Sequence, residues 1–246
     1  ICKEAGKASI AWVREATKLC LEKRAAAVVT APLCKESVEK TVPGFQGHTE
    51  FIGEMCGDSR AVLCLVHKDW VVAHVSTHVS LREACDRAKK ERILKTATLL
   101  NDFLIRYKKV KTPCLGIAGL NPHAGEGGLF GTEEIEEIIP AIRELKKKKI
   151  KADGPFPGDV IFPKLRSGAF DGVVAMYHDQ GHIVTKTLLF QLGQVKKTGG
   201  VNTTLGLPVI RTSVDHGTGF DIAWQGIADA NSLKDALELA ECLALD

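Results

Sequence analysis

The sequence predicts an α/β protein with a largely parallel sheet. Short apolar runs of strand length, such as Val173–Met176 and Leu115–Leu120, alternate with longer segments of helical period. Several of these runs also end in polar, proton-active groups, and the C-terminal ends of parallel strands are where open α/β sheets place their ligands.

In chain order, a helix is expected over about 8–23 and a strand over 25–30, ending in the turn Ala31-Pro32. A helix over 49–56 follows a loop rich in Gly and Thr and leads to apolar strands at 61–66 and 70–76. Helices at 80–87 and 89–107 precede a strand at 114–119, which runs into the loop Asn121-Pro122-His123-Ala124-Gly125-Glu126-Gly127-Gly128. Glu133 and Glu134 put acid in the first turn of a helix over 132–148, where carboxylates complement the dipole. A helix at 160–166 and a strand at 171–176 lead to a loop, Tyr177-His178-Asp179-Gln180-Gly181-His182. The stretch 183–200 has no clear period, and residues 191–197 read as a surface excursion. A strand at 208–213 and a final helix over 233–243, capped by Ser232, complete the chain.

At 246 residues the chain can bury one large core or two modest ones. Apolar residues make up 45% and charged residues 26%, as in an ordinary globular protein. The net charge of +3 is small and its one cluster, Lys146–Lys149 with Lys151, closes a helix, so nucleic acid is not expected as a partner. No apolar run approaches the roughly 20 residues needed to span a bilayer. Eight cysteines without a CxxC pair read as reduced thiols of a cytoplasmic protein.

Three strand-like runs each end near a histidine: His78 beyond Trp70–His74, His123 after Leu115–Leu120, and His178 after Val173–Met176. Neutral imidazole suits divalent transition metals, and three protein ligands with an open position is the catalytic pattern. Asp179, beside His178, and Asp159 are candidates for proton transfer or for orienting a ligand. Lys186, Asn202 and Arg211 follow, with His48-Thr49 well before them, and the cations suggest an anionic substrate. Arg211 is the strongest of these, because it lies on an apolar strand where a charge needs a partner. The loop Asp215–Asp229 carries glycines that would let backbone N–H groups approach a ligand, although no GxGxxG or Walker A sequence is present.

These motifs resemble one family. Thr30-Ala31-Pro32, Gly47-His48-Thr49-Glu50-Phe51, the segments 121–128 and 177–182, and 206–218 are similar in kind and order to the 4-hydroxythreonine-4-phosphate dehydrogenase family of vitamin B6 biosynthesis. The resemblance runs from about residue 25 to the C-terminus. It implies a fold like isocitrate and isopropylmalate dehydrogenases: two α/β/α domains around a cleft, in a homodimer whose second subunit completes the active site. On it, 1–30 with 203–246 would form a cofactor-side domain, and 31–202 a metal, substrate and dimerisation domain. The family's metal ligands carry over to His78, His123 and His178, and its substrate contacts to His48, Thr49, Lys186, Asn202 and Arg211. The cofactor loop carries over to His216, Gly217, Thr218 and Asp221. The family's N-terminal strand and Gly-Asp-Pro-Ala-Gly loop have no counterpart, so the chain is expected to enter the fold part-way.

The expected reaction is metal-dependent, NAD(P)-linked oxidation, with decarboxylation, of a four-carbon phosphorylated hydroxy acid of the 4-phosphooxy-L-threonine type. The metal would be Zn, Mg, Co, Mn or Ni. It would lower the pKa of the substrate's alcohol and stabilise the enolate left by loss of CO2, with Asp179, Asp159 or Lys186 in proton transfer. His182 stands where the biosynthetic enzymes carry an apolar residue, which suggests a subgroup acting on 4-phospho-D-threonate or 4-phospho-D-erythronate. A non-redox metal hydrolase or lyase, and a silent binding protein, are the alternatives.

Overall fold

The computed structural model describes residues 1–57, 61–189 and 200–245. In chain order its elements are α1 (Lys3–Leu21), β1 (Ala27–Thr30), α2 (Lys35–Glu39), α3 (His48–Met55), β2 (Val62–His67), β3 (Trp70–His74), α4 (Leu81–Arg87), α5 (Lys90–Lys108) and β4 (Cys114–Ala118). There follow α6 (Ile139–Lys147), β5 (Lys151–Phe156), α7 (Gly158–Arg166), β6 (Gly172–Ala175), α8 (His178–Leu189), β7 (Val201–Leu205), β8 (Ile210–Val214) and α9 (Asn231–Ala244). The chain divides into two compact units, Ile1–Ala61 with Gln191–Asp246, and Val62–Phe190. The partition expected from the resemblance differs at residues 200–202, which enter β7 beside β8, and over residues 31–61. The latter group with the first unit because Ile52 of α3 shares a core with Cys20, Val28 and Val209.

In the first unit β8 pairs in parallel with β1 and antiparallel with β7, and this register sets Arg211 opposite Val28. Helix α1 begins with Cys2 Sγ accepting from the Ala5 amide, carries Glu4 in its first turn and Lys18 in its last, and buries Ile10 and Cys20. In the second unit the strand order is β2-β3-β6-β4-β5, antiparallel between β2 and β3 and parallel elsewhere. β3 and β6 are buried along their whole length, as strands covered on both faces are. Ile161, Phe162 and Leu165 of α7 join Val72, Val173 and Ala175 in one core, and Trp70 Nε1 donates to Thr185 Oγ1 (2.9 Å), fixing α8 against β3. No helix among the described residues is long and apolar enough to cross a membrane.

Several local expectations change. His178 to His182 form the first turn of α8 rather than a loop, because Gly181 lets the helix settle onto β3. The helix expected over 132–148 opens as a π turn at Glu134–Ile138 and continues as α6. Ser232 does not cap α9. It lies inside the helix, where its hydroxyl donates to the Gly200 carbonyl (2.6 Å) and accepts from the Asp215 amide (3.1 Å). α2, β5 and β7 are elements that the sequence reading left out. The surface excursion expected at 191–197 lies outside the described residues.

Candidate functional site

In the second unit the ends of β3 and β6 are pinned side by side. The Val75 amide donates to the Ala175 carbonyl (2.9 Å), and Ser76 Oγ donates to the Met176 carbonyl (3.1 Å). The two chains then leave the sheet together, one towards His78 and the other into α8, and four imidazoles collect there. The His178 ring lies 5.8 Å from that of His78 and stacks at 3.7 Å and 9° on that of His182, one helical turn on. The His182 ring stands 4.8 Å from His74, which is wholly buried at the end of β3.

Hydrogen bonds assign different tasks to these rings. His178 Nδ1 is 2.7 Å from Asp179 Oδ1. A carboxylate only accepts, so in the neutral ring the proton sits on Nδ1 and Nε2 is left as a lone pair. His182 Nδ1 donates to the His178 carbonyl (3.0 Å). Burial, and next the neighbouring His178, hold His182 down at about 4, so it is neutral at ordinary pH. Burial and then His182 press the His74 pKa well below the imidazole range, and His74 Nε2 has no hydrogen-bond partner. Gly181 lies directly against that atom, and a Cβ there would collide with His74 Nε2. His78, His178, Asp179, Thr77, Ser80 and Tyr177 line a cavity of about 420 Å³.

His123 stands elsewhere in the same unit, exposed, with its ring 6.0 Å from Phe130. It opens a run of five residues, His123 to Gly127, that all have positive φ, between 43° and 80°. Three of the five, His123, Ala124 and Glu126, are not glycine. A left-handed conformation costs an L-residue roughly 1–2 kcal/mol, so the surroundings must hold this turn. Glu134, 2% exposed, supplies the hold. Its Oε1 accepts from the Leu120 and Asn121 amides (2.8 Å each), and its Oε2 accepts from Asn121 Nδ2 (2.9 Å).

The first unit contains a different constellation. Arg211 on β8 is 4% exposed, and its guanidinium donates to three threonine hydroxyls: Thr30 (3.0 Å), Thr204 (3.2 Å) and Thr49 (3.3 Å). Its Nε has no partner. Desolvation brings its pKa down to about 10, still far above neutrality. The sequence argument for a partner holds, but the hydrogen-bond partners are neutral hydroxyls, and the Glu50 carboxylate acts on the guanidinium through its charge. His48, first residue of α3, is held at about 4 by burial, then by Arg211 and Lys35. Asn202 Nδ2 reaches Asp215 Oδ1 (3.4 Å), and its buried Oδ1 has no hydrogen-bond partner. The segment beyond β8 is exposed: His216 Nδ1 donates to the Gly217 carbonyl (2.9 Å), and Thr218 and Asp221 face solvent.

Comparison with known proteins settles the kinship. Residues 1–240 match the family of the pyridoxal phosphate biosynthetic protein PdxA. The chain belongs to this family. A protein of Bradyrhizobium diazoefficiens, provisionally named D-threonate 4-phosphate dehydrogenase, is 47% identical over 245 residues, 98% of this chain and 71% of that protein. The crystal structure of 4-hydroxythreonine-4-phosphate dehydrogenase from Klebsiella pneumoniae is 40% identical, with a TM-score of 0.83 over 99% of this chain and 72% of that one. Isocitrate dehydrogenase from Methylococcus capsulatus, at 12% identity, a TM-score of 0.54 and coverage of 86% of this chain and 66% of that one, shows a shared fold. The relatives are dehydrogenases by name, and the chain is an oxidoreductase of their class.

Against this family background the placed residues divide clearly. His78, His178 and Asp179 come together, and His48, Thr49 and Arg211 come together. Lys186 lies one turn beyond His182 on α8, and Asp159 is exposed in the first turn of α7. Among the described residues no three His, Cys, Asp or Glu side chains of one chain form a group able to hold a metal ion. The donor chemistry still fits one: His178 offers a lone pair fixed by a carboxylate, His78 stands beside it, and His123 is exposed. In the loop after β8 an added Cβ at Gly217 would have nothing within 4 Å, so that backbone is open to approach. His74, Gln180, Glu134, Thr30 and Thr204 are site neighbours that the sequence reading missed. Thr30 and Gln180 lie inside the motifs at 30–32 and 177–182, and a histidine inside an otherwise apolar run pointed to His74.

Proposed function

We propose that this chain is a divalent-metal-dependent, NAD(P)-linked dehydrogenase that oxidises and decarboxylates a four-carbon phosphorylated hydroxy acid. The observation that carries the reading is the Asp179–His178 contact, which leaves Nε2 as a lone pair on a ring that lines a cavity with His78. His78, His178 and His123 would hold the ion, with His123 supplied by a second copy in a homodimer, since one chain does not assemble the three. When bound, the ion supplies Lewis acidity towards a hydroxyl oxygen and the nicotinamide a two-electron acceptor. The remaining work belongs to the chain itself. Asp179 keeps the proton of His178 on Nδ1 and so keeps the ring aimed. Its carboxylate, largely exposed, is also placed to take up a proton at Oδ2. Arg211, hydrogen-bonded only to hydroxyls, binds the phosphate or carboxylate of the substrate, and the neutral His48 with Thr49 adds hydrogen bonds to the same anion. His216, Gly217, Thr218 and Asp221 would contact the nicotinamide cofactor.

The more similar relative favours D-threonate 4-phosphate over 4-phosphooxy-L-threonine as the acid. His182, stacked on His178, is the residue that would tell a substrate hydroxyl from an amino group. The eight unpaired thiols support a cytoplasmic setting. A panel of four-carbon phospho-acids, followed by NADH or NADPH formation with and without added metal, tests the proposal. Metal-dependent turnover of one acid is expected, and no reduction of either nicotinamide with any acid would overturn it.

A further inference from the structure

The left-handed turn that carries His123 is wrapped around a single buried carboxylate. Glu134 takes the Leu120 and Asn121 amides on Oε1, while Gly125 crosses so close that a Cβ there would lie 2.7 Å from Oε2. Asn121 completes the wrap by donating its side-chain amide to both Glu133 Oε2 (2.7 Å) and Glu134 Oε2 (2.9 Å). We infer that Glu134 is a positioning residue for His123, holding the exit of β4 so that the imidazole is presented to the metal in one orientation. The inference rests on the reading of His123 and His178 as ligands.

What Glu134 secures is no regular element. It is a run of left-handed residues, three of them with a Cβ, that ordinary backbone preferences would undo. Without the carboxylate the two amides would turn to water, and the run could relax to right-handed or extended backbone, swinging His123 away. A second contact reaches the same exit independently. Gln180 Nε2 donates to the Gly119 carbonyl (2.8 Å), and its Oε1 accepts from the Met176 amide (2.7 Å). The strand end that launches His123 is thereby tied to the strand end that launches His178. Partners that orient metal ligands typically govern affinity by about 10–100-fold when removed.

Co(II) is the probe, titrated into the purified protein and read by its visible absorption, with amide hydrogen exchange at Leu120 and Asn121 read alongside. Glu134→Ala is expected to bind Co(II) at least about tenfold more weakly, with both amides exchanging faster. Leu145→Ala, a core truncation on α6, is expected to lower the melting temperature and leave Co(II) affinity unchanged. If Glu134→Ala does not fold, Glu134→Asp, one methylene short of the two amides, is judged by the same affinity measurement. Wild-type affinity in a folded Glu134 variant would overturn the inference, as would an equal loss in Leu145→Ala. Absence of Co(II) binding by the unaltered protein would overturn the metal reading itself, and the inference with it.

Discussion

Arg211 and His123 are held in opposite ways. Arg211 is buried on β8, and the three hydroxyls around it come from β1, α3 and β7, so its position follows from the packing of a whole unit. His123 is exposed on strained backbone, above a turn held by a few local hydrogen bonds, chiefly those of the Glu134 carboxylate. The difference teaches where each kind of contact can be placed. On the proposed reading, a charge that attracts an anion gains from a dry collar of hydroxyls, because low dielectric strengthens its field. A ligand that, as proposed, serves a second copy would project from the surface, where packing cannot aim it and local hydrogen bonds must.

The contrast breaks most sharply on substitution. His123→Ala should abolish metal binding and turnover, with a melting temperature within a few degrees of the parent, since an exposed ring contributes little packing. Calorimetric titration with Co(II) beside a thermal melt checks both halves. Arg211→Met should raise KM for a phosphorylated acid on the order of 100-fold, in keeping with the roughly 2–5 kcal/mol lost when a buried charge contact is truncated. Its melting temperature should fall by only a few degrees, because the apolar side chain removes the desolvation of a buried cation while Glu50 loses the charge that faces it. A collapse in stability with KM unchanged would make Arg211 structural instead.

The smallest effect is a pH dependence. His48 titrates at about 4 in the folded protein against 6.5 for the free group. Between those values the unfolded chain binds the proton that the native state refuses. The contribution of His48 is therefore full above about 6.5, falls as pH drops, and is gone below about 4. His48→Gln should flatten the fall in melting temperature between pH 6.5 and 4 without removing it, because His182 in the other unit is depressed to a similar value.

Much of this was legible in the sequence wherever residue type and position agreed. A cation on the apolar strand 207–210 marked Arg211, and histidines past apolar runs marked His78, His123 and His178. The misses share a cause in backbone. β5 carries Gly154 and Pro155 and lies at the end of its sheet's strand order, where such residues are tolerated, so its pattern did not read as a strand. β7, Val-Asn-Thr-Thr-Leu, hides its buried threonines among polar letters. Gly181 read as loop punctuation, yet it is a helical residue made small by His74, a neighbour more than 100 positions away. No local pattern announces the left-handed sense of Ala124 and Glu126, because that sense is imposed by Glu134.

That imposed handedness has a consequence for how the protein can change. Ala124 and Glu126 would each be more comfortable as glycine, which accepts positive φ without penalty. The same exchange would release the turn from its single conformation and let the imidazole wander. Every step towards a relaxed backbone here is a step away from aim, so in this turn robustness and accuracy pull the same few positions in opposite directions.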